Sequence, residues 1–140
     1  MQPLHIVMID DNQGDLQLLE EAFTDCRMTV SFHGFLNYHQ AKDHLDQLHA
    51  SQARLPDLVI IDLSLPVVSG EMIVAAIRSV EAMRTIPLIV MSGLIREAIA
   101  ERLLSSGVSR VVLKPKSYEE YLTLAASLQD FSATRERPAI

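Results

Sequence analysis

The stretch "LVIIDLSLPVVSG", Leu58 to Gly70, decides how this chain is read. Leu58 to Ile61 are apolar without alternation, the pattern of a strand buried on both faces. The run ends on a carboxylate, Asp62, and then passes through Pro66 and Gly70, both turn formers. A lone buried carboxylate is costly unless something compensates it. Asp62 therefore asks for a partner, a metal or a reaction.

Outward from this strand the same alternation repeats. "LHIVMI" (Leu4 to Ile9) is a first apolar strand, ending at Asp10 and Asp11. Leu18, Leu19, Ala22 and Phe23 follow at helical spacing. "MTVSFHGF" (Met28 to Phe35) is β-branched and aromatic, hence a second strand, and Tyr38, Ala41, Leu45 and Leu48 mark a second helix face. After the Asp62 strand the pattern predicts a helix from about Glu71 to Glu81, then a strand from Pro87 to Ser92. A fourth helix carries Ile95, Ile99 and Leu103 in register and is stopped by Gly107. "RVVLK" (Arg110 to Lys114) is a fifth strand. The last helix opens with Ser117 and Glu120, the spacing of a capping box, and turns Tyr118, Tyr121, Leu122, Ala125 and Leu128 inward.

Five strands alternating with five helices predict an α/β fold, a five-stranded parallel sheet with helices on both faces. The expected strand order is the flavodoxin-like 2-1-3-4-5. The organisation is one domain, residues 1–131, followed by a polar tail, residues 132–140. No repeat, linker or low-complexity tract interrupts it. With 140 residues, 49% of them apolar and 21% charged, the chain is long enough for one sizeable core. Its net charge of -6 and scattered basic residues exclude a phosphate-tracking nucleic-acid binder. No apolar run reaches membrane-span length and no signal-peptide pattern opens the chain. Cys26 is the single cysteine. These features point to a reducing, cytoplasmic setting.

In doubly wound sheets, ligands sit beyond the carboxyl ends of the strands. The polar residues collect there. Asp10 and Asp11 end strand one, Asp62 strand three, Ser92 strand four and Lys114 strand five. Three carboxylates so close raise one another's pKa unless a cation lies among them. Their hard oxygens suit Mg²⁺, and Mn²⁺ can substitute. Lys114 adds a compact positive charge and Ser92 a hydroxyl donor. A metal, a lysine and a hydroxyl around one carboxylate make a cradle for a phosphoryl group, whose transfer needs positioning and charge neutralisation. Asp62 is the remaining nucleophile, and an aspartyl phosphate is its product.

The set Asp10-Asp11, Asp62, Ser92 and Lys114-Pro115 resembles the receiver domain of bacterial response regulators, from about Leu4 to Phe131. The resemblance implies that Asp62 accepts phosphate from a sensor histidine kinase or a histidine phosphotransfer protein. It implies Mg²⁺ ligation by Asp11 and Asp62, with Asp10 helping through water and Ser64 offering its backbone carbonyl. Lys114 would hold a phosphoryl oxygen, ahead of a cis peptide to Pro115. Pro66 and Gly70 match the family's loop after the acceptor, and Gly93 its small residue after the hydroxyl. Such a protein is a phosphoacceptor that catalyses its own phosphorylation and dephosphorylation, not a dedicated enzyme. Asp11, Asn12, Asp15 and the chain length are similar to stand-alone regulators paired with phytochrome-type kinases. Output is then expected through a partner protein, with a homodimer through the fourth helix, fifth strand and fifth helix.

Two positions depart from the family pattern. Val111 stands where Tyr or Phe is usual, three residues before the lysine, and Ser64 where Asn is common. Other classes fit less well. A phosphatase of the haloacid dehalogenase type has a second carboxylate where Ser64 stands. A flavodoxin-type carrier needs a hydroxyl-rich phosphate loop, and "DDNQGD" would repel a phosphate. A receiver that binds partners without phosphorylation would not need Asp62 and Lys114. His33, His39, His44 and His49 contain no i, i+4 pair of the helical zinc type, so they read as helix-face and strand-edge residues.

Overall fold

Buried along its whole length, β3 (Leu58–Asp62) lies at the centre of a parallel sheet in the computed structural model, which describes residues 2–65 and 67–131. Pro66 and the expected tail lie outside the described residues. The other strands are β1 (Leu4–Ile9), β2 (Val30–Phe35), β4 (Leu88–Ser92) and β5 (Arg110–Leu113), in the order β2-β1-β3-β4-β5. Val7 pairs with Val59, Val59 with Leu88 and Val90 with Val111. The expected flavodoxin-like topology is what forms.

The helices are α1 (Gln13–Asp25), α2 (Tyr38–Ala50), α3 (Gly70–Arg78), α4 (Glu97–Ser105) and α5 (Tyr118–Ser127). Strand side chains alternate between two cores, as the period of two requires. Ile6, Met8, Leu58, Ile60, Ile89 and Met91 meet Leu19 and Phe23 of α1 and Tyr121 of α5. Val7, Ile9, Val59, Ile61, Leu88 and Val90 meet the buried residues of α2, α3 and α4 on the other face. Burial on both faces is why the central strands are unbroken apolar runs.

Several boundaries move, each for a local reason. Strand β2 begins at Val30 and not at Met28, because the Met28 amide donates to Phe23 O at 3.0 Å and closes the end of α1. Helix α3 stops at Arg78, short of Glu81. There the Ser79 hydroxyl donates to Ala76 O at 2.6 Å, Val80 turns extended, and a 3-10 turn (Glu81–Met83) brings Met83 into the core. Helix α4 starts at Glu97, leaving Ile95 in the preceding loop. Its expected stop at Gly107 holds: φ is +101° there, and Val108 N–H donates to Leu103 O at 3.1 Å, a helix end that favours glycine. Gly70 is needed for space, since a Cβ would fall 2.9 Å from Leu63 Cα. The Ser117 hydroxyl caps α5 by accepting from Glu120 N–H at 3.2 Å. Glu120 does not complete the reciprocal bond to Ser117; its carboxylate accepts from Lys116 N–H at 2.6 Å, one residue earlier. No helix among the described residues is long and apolar enough to cross a membrane.

Candidate functional site

Three backbone hydrogen bonds carry the sheet ladder one step past its strands and fix the residues found there. Asp10 N–H donates to Phe35 O at 3.0 Å, Leu63 N–H to Met91 O at 2.8 Å and Lys114 N–H to Ser92 O at 2.8 Å. Asp10, Asp62 and Lys114 are thereby held at the ends of β1, β3 and β5 on one edge of the sheet, and only side chains remain to reach across β4.

Lys114 does the reaching. Its Nζ lies 2.9 Å from Asp62 Oδ2, 2.9 Å from Asp10 Oδ2 and 2.8 Å from Asp15 Oδ2. Asp10 and Asp62 are almost fully buried. A buried carboxylate is tolerable only beside such a charge. Burial works to raise the Asp62 carboxyl, but the Lys114 ammonium, the Ser64 amide and the Ser64 hydroxyl outweigh it and hold it below the ordinary range. Ser64 donates both its N–H, at 3.0 Å, and its hydroxyl, at 2.8 Å, to Asp62 Oδ1. Asp10 goes the other way. Burial raises its carboxyl above the usual value despite Lys114 and the Asn12 amide. Burial also works against the Lys114 charge, yet Asp15, Asp10 and Asp62 together raise its pKa. The arrangement therefore keeps an ionised acceptor at the strand tip and a permanent cation on it.

Divalent metal suits the remaining geometry. One carboxylate oxygen from each of Asp10, Asp11 and Asp62 lies within 4.8 Å of the others, with Asp11 exposed and the other two buried. Asp10 Oδ1 accepts from Asn12 N–H at 2.9 Å, but Asp10 Oδ2 is buried without a hydrogen bond, its contact with Lys114 being an ion pair without hydrogen-bond alignment. A buried carboxylate oxygen that makes no hydrogen bond, beside two others, is a donor set for a hard cation.

Not every expected residue points at Asp62. The Ser92 hydroxyl donates to Leu94 O at 2.7 Å and accepts from Leu94 N–H at 3.3 Å, so it closes its own loop. The expected cis peptide before Pro115 is corrected: no cis bond occurs among the described residues, and Lys114 reaches the cluster with the ordinary trans geometry. Val111 is half-buried against the α3–α4 core. Asp15 is the residue whose role sequence reasoning missed. Asn12 caps α1 by accepting from Asp15 N–H at 3.2 Å. That start leaves Asp15 in the first turn, where side chains lean back toward the helix N-terminus and hence toward Lys114. Its spacing from Asn12 was the available signal.

Comparison with known proteins places this geometry. The family model for the response regulator receiver domain matches residues 6–126. The chain is 28% identical over 130 residues to the probable methanogenesis regulatory protein FilR2 of Methanothrix harundinacea, covering 92% of this chain and 83% of that one. The phosphorylated cyanobacterial phytochrome response regulator RcpA has the same fold, with a TM-score of 0.83 at 23% identity, covering 99% of this chain and all (100%) of that one. The Mn²⁺-bound response regulator Rcp1 superposes with a TM-score of 0.78 at 18% identity, over 98% and 100% of the two chains. Receiver domains work in two-component signalling beside histidine kinases and bind a divalent metal. Over most of its length, then, this chain belongs to the response regulator receiver domain family.

Proposed function

We propose that the protein is the phosphoacceptor of a two-component relay, with Asp62 as the phosphorylated residue. The observation that carries this reading is the ionised Asp62 carboxylate at a buried strand tip, with Lys114 Nζ 2.9 Å from its Oδ2. The donor is the phosphohistidine of a sensor histidine kinase or histidine phosphotransfer protein. A carboxylate oxygen of Asp62 attacks phosphorus, and the P–N bond breaks with its electron pair going to the imidazole nitrogen, which takes a proton. The new acyl phosphate adds charge where Lys114 already stands, so the lysine neutralises the transferring group in place. Asp10, Asp11 and Asp62 would hold Mg²⁺, or Mn²⁺, and Ser64 would add its backbone carbonyl. When bound, the ion neutralises phosphoryl oxygens. Ser92 serves the phosphoryl group only by leaving Leu94 O, which couples phosphorylation to the loop after β4. The protein catalyses this chemistry on itself, and its output is contact with a partner protein.

Incubation with acetyl phosphate and Mg²⁺, followed by intact-mass spectrometry, tests the assignment. The wild type gains one phosphoryl mass. Asp62→Asn keeps the shape and removes the nucleophile; if it gains the same mass at the same rate, Asp62 is not the acceptor.

A further inference from the structure

Far from the phosphoryl site, His5 on β1, His33 on β2 and His44 on α2 converge on one point. His5 lies on β1 five residues before Asp10, which directly follows that strand, about 16 Å away at the strand rise. Pairing of β1 with β2 sets Val7 beside His33, so His5 and His33 share the face that α2 covers. The ring centroids are 5.2 Å apart for His5–His33 and 5.0 Å for His33–His44. One ring nitrogen from each residue lies within 4.8 Å of one from each of the others.

Ordinary packing does not account well for this cluster. His5 is only 7% exposed. His5 Nε2 and His44 Nε2 are both buried without a hydrogen-bond partner, and such atoms cost free energy that a leucine or phenylalanine here would not. We infer that His5, His33 and His44 form a second metal site, for a borderline divalent transition ion such as Zn²⁺, separate from the carboxylate site.

Three imidazoles and one open position are a known donor set for Zn²⁺, which prefers four-coordination. Carboxylate-oxygen ions such as Mg²⁺ are poor competitors for nitrogen ligands. Tetrahedral Zn–N bonds need ligand nitrogens about 3.4 Å apart, so the rings draw in from their present spacing by small side-chain rotations. His33 Nε2 is 3.2 Å from Ser31 Oγ. If His33 binds through Nδ1, it donates its Nε2–H to that hydroxyl, the outer hydrogen bond that ligating histidines normally make. The Phe35 ring, 5.1 Å from His44, closes the site on one side. Arg54 and Asp57 lie close by as an ion pair, and Asp57 Oδ2 accepts from His5 N–H at 2.8 Å, so the local charge is balanced. Bound metal would tie the edge strand β2 and helix α2 to β1.

The test is Zn²⁺ titration of the full chain at neutral pH against a chromophoric chelator, in excess Mg²⁺ to occupy the carboxylates. One Zn²⁺ per chain is expected. His33→Gln or His44→Gln, both at half-buried positions, should each weaken it on the order of 100-fold. His39→Gln and His49→Gln, at exposed positions, and Asp11→Asn should leave it unchanged. Imidazole ¹⁵N spectra of the wild type should shift at His5, His33 and His44 alone, which keeps the test decisive if a variant fails to fold. Binding that is lost with His39, His49 or Asp11, or that survives His33→Gln and His44→Gln, overturns the inference. So does the absence of stoichiometric uptake.

Discussion

Lys114 Nζ stands 2.9 Å from Asp62 Oδ2 and, on the same ammonium, 2.8 Å from Asp15 Oδ2. One cation from β5 thus joins the acceptor strand to helix α1. With Asp10 also in contact, removal of that cation leaves three carboxylates facing one another.

Lys114→Met should therefore destabilise the fold by about 3 kcal/mol, the low end for breaking a buried ion pair and stranding its partners, since the Lys114 side chain keeps 21% exposure. Saturating Mg²⁺ should restore part of the loss by binding only the folded state. Urea unfolding with EDTA and with Mg²⁺ measures both effects. Equal stability of the variant and wild type in EDTA would show that the lysine is not the structural counter-charge. In the wild type, Mg²⁺ should raise the melting temperature slightly, and a fall would contradict the carboxylate site.

Val111 pairs with Val90 in the sheet and is half-buried. Valine is stiff at χ1 and has no ring to rotate, so it cannot act as a two-position aromatic switch. Ser92, now bonded to Leu94 O, is the group free to change partner. Beryllofluoride with Mg²⁺ should change amide exchange from Gly93 to Ile99 while Val111 and Val112 stay protected. The opposite distribution would refute this route. Val111→Ala should cost roughly 1 kcal/mol, as a half-buried truncation does, and leave Asp62 reactive.

The Tyr118 hydroxyl at the start of α5 donates to Asp25 Oδ2 at the end of α1. That hydrogen bond, followed by burial and the Asp25 charge, raises the phenol from its usual 10.0 to about 12. The unfolded chain releases this proton first, so the contact contributes fully below the ordinary tyrosine range and is lost as pH rises toward the folded value. Denaturant midpoints of the wild type should fall more steeply than those of Tyr118→Phe across that alkaline window. Parallel curves would mean that the bond does not link the helices.

Leu94, Leu104 and Leu113 are exposed on the loop before α4, on α4 and on β5, with Leu94 65% and Leu113 57% accessible. Apolar side chains so placed favour association, and a two-fold dimer is the commonest closed form. Light scattering across concentration, with and without beryllofluoride, should show a dimer that Leu104→Glu weakens. A monomer at every concentration in both states would remove the idea.

Much of this protein was legible in one dimension. Unbroken apolar runs marked β3 and β4, because strands covered on both faces admit little polar alternation, and β1 was marked by an apolar run that only His5 interrupts. Asp10, Asp11, Asp62 and Lys114 were legible as a site because each ends a strand, and parallel strands place those ends at one edge of the sheet. Helix starts at Ser117 and the stop at Gly107 followed from capping chemistry, which is local. What the tertiary structure alone decided is non-local. Asp15 meets Lys114 only when α1 and β5 are assembled around the acceptor, and the Ser92 hydroxyl chooses Leu94 O by the shape of its own loop. His5, His33 and His44 sit on three different elements, so no spacing in the sequence relates them. Pairing of β1 with β2 and the docking of α2 bring them together, because inter-strand register and helix packing are set by the whole core and not by neighbours in the chain.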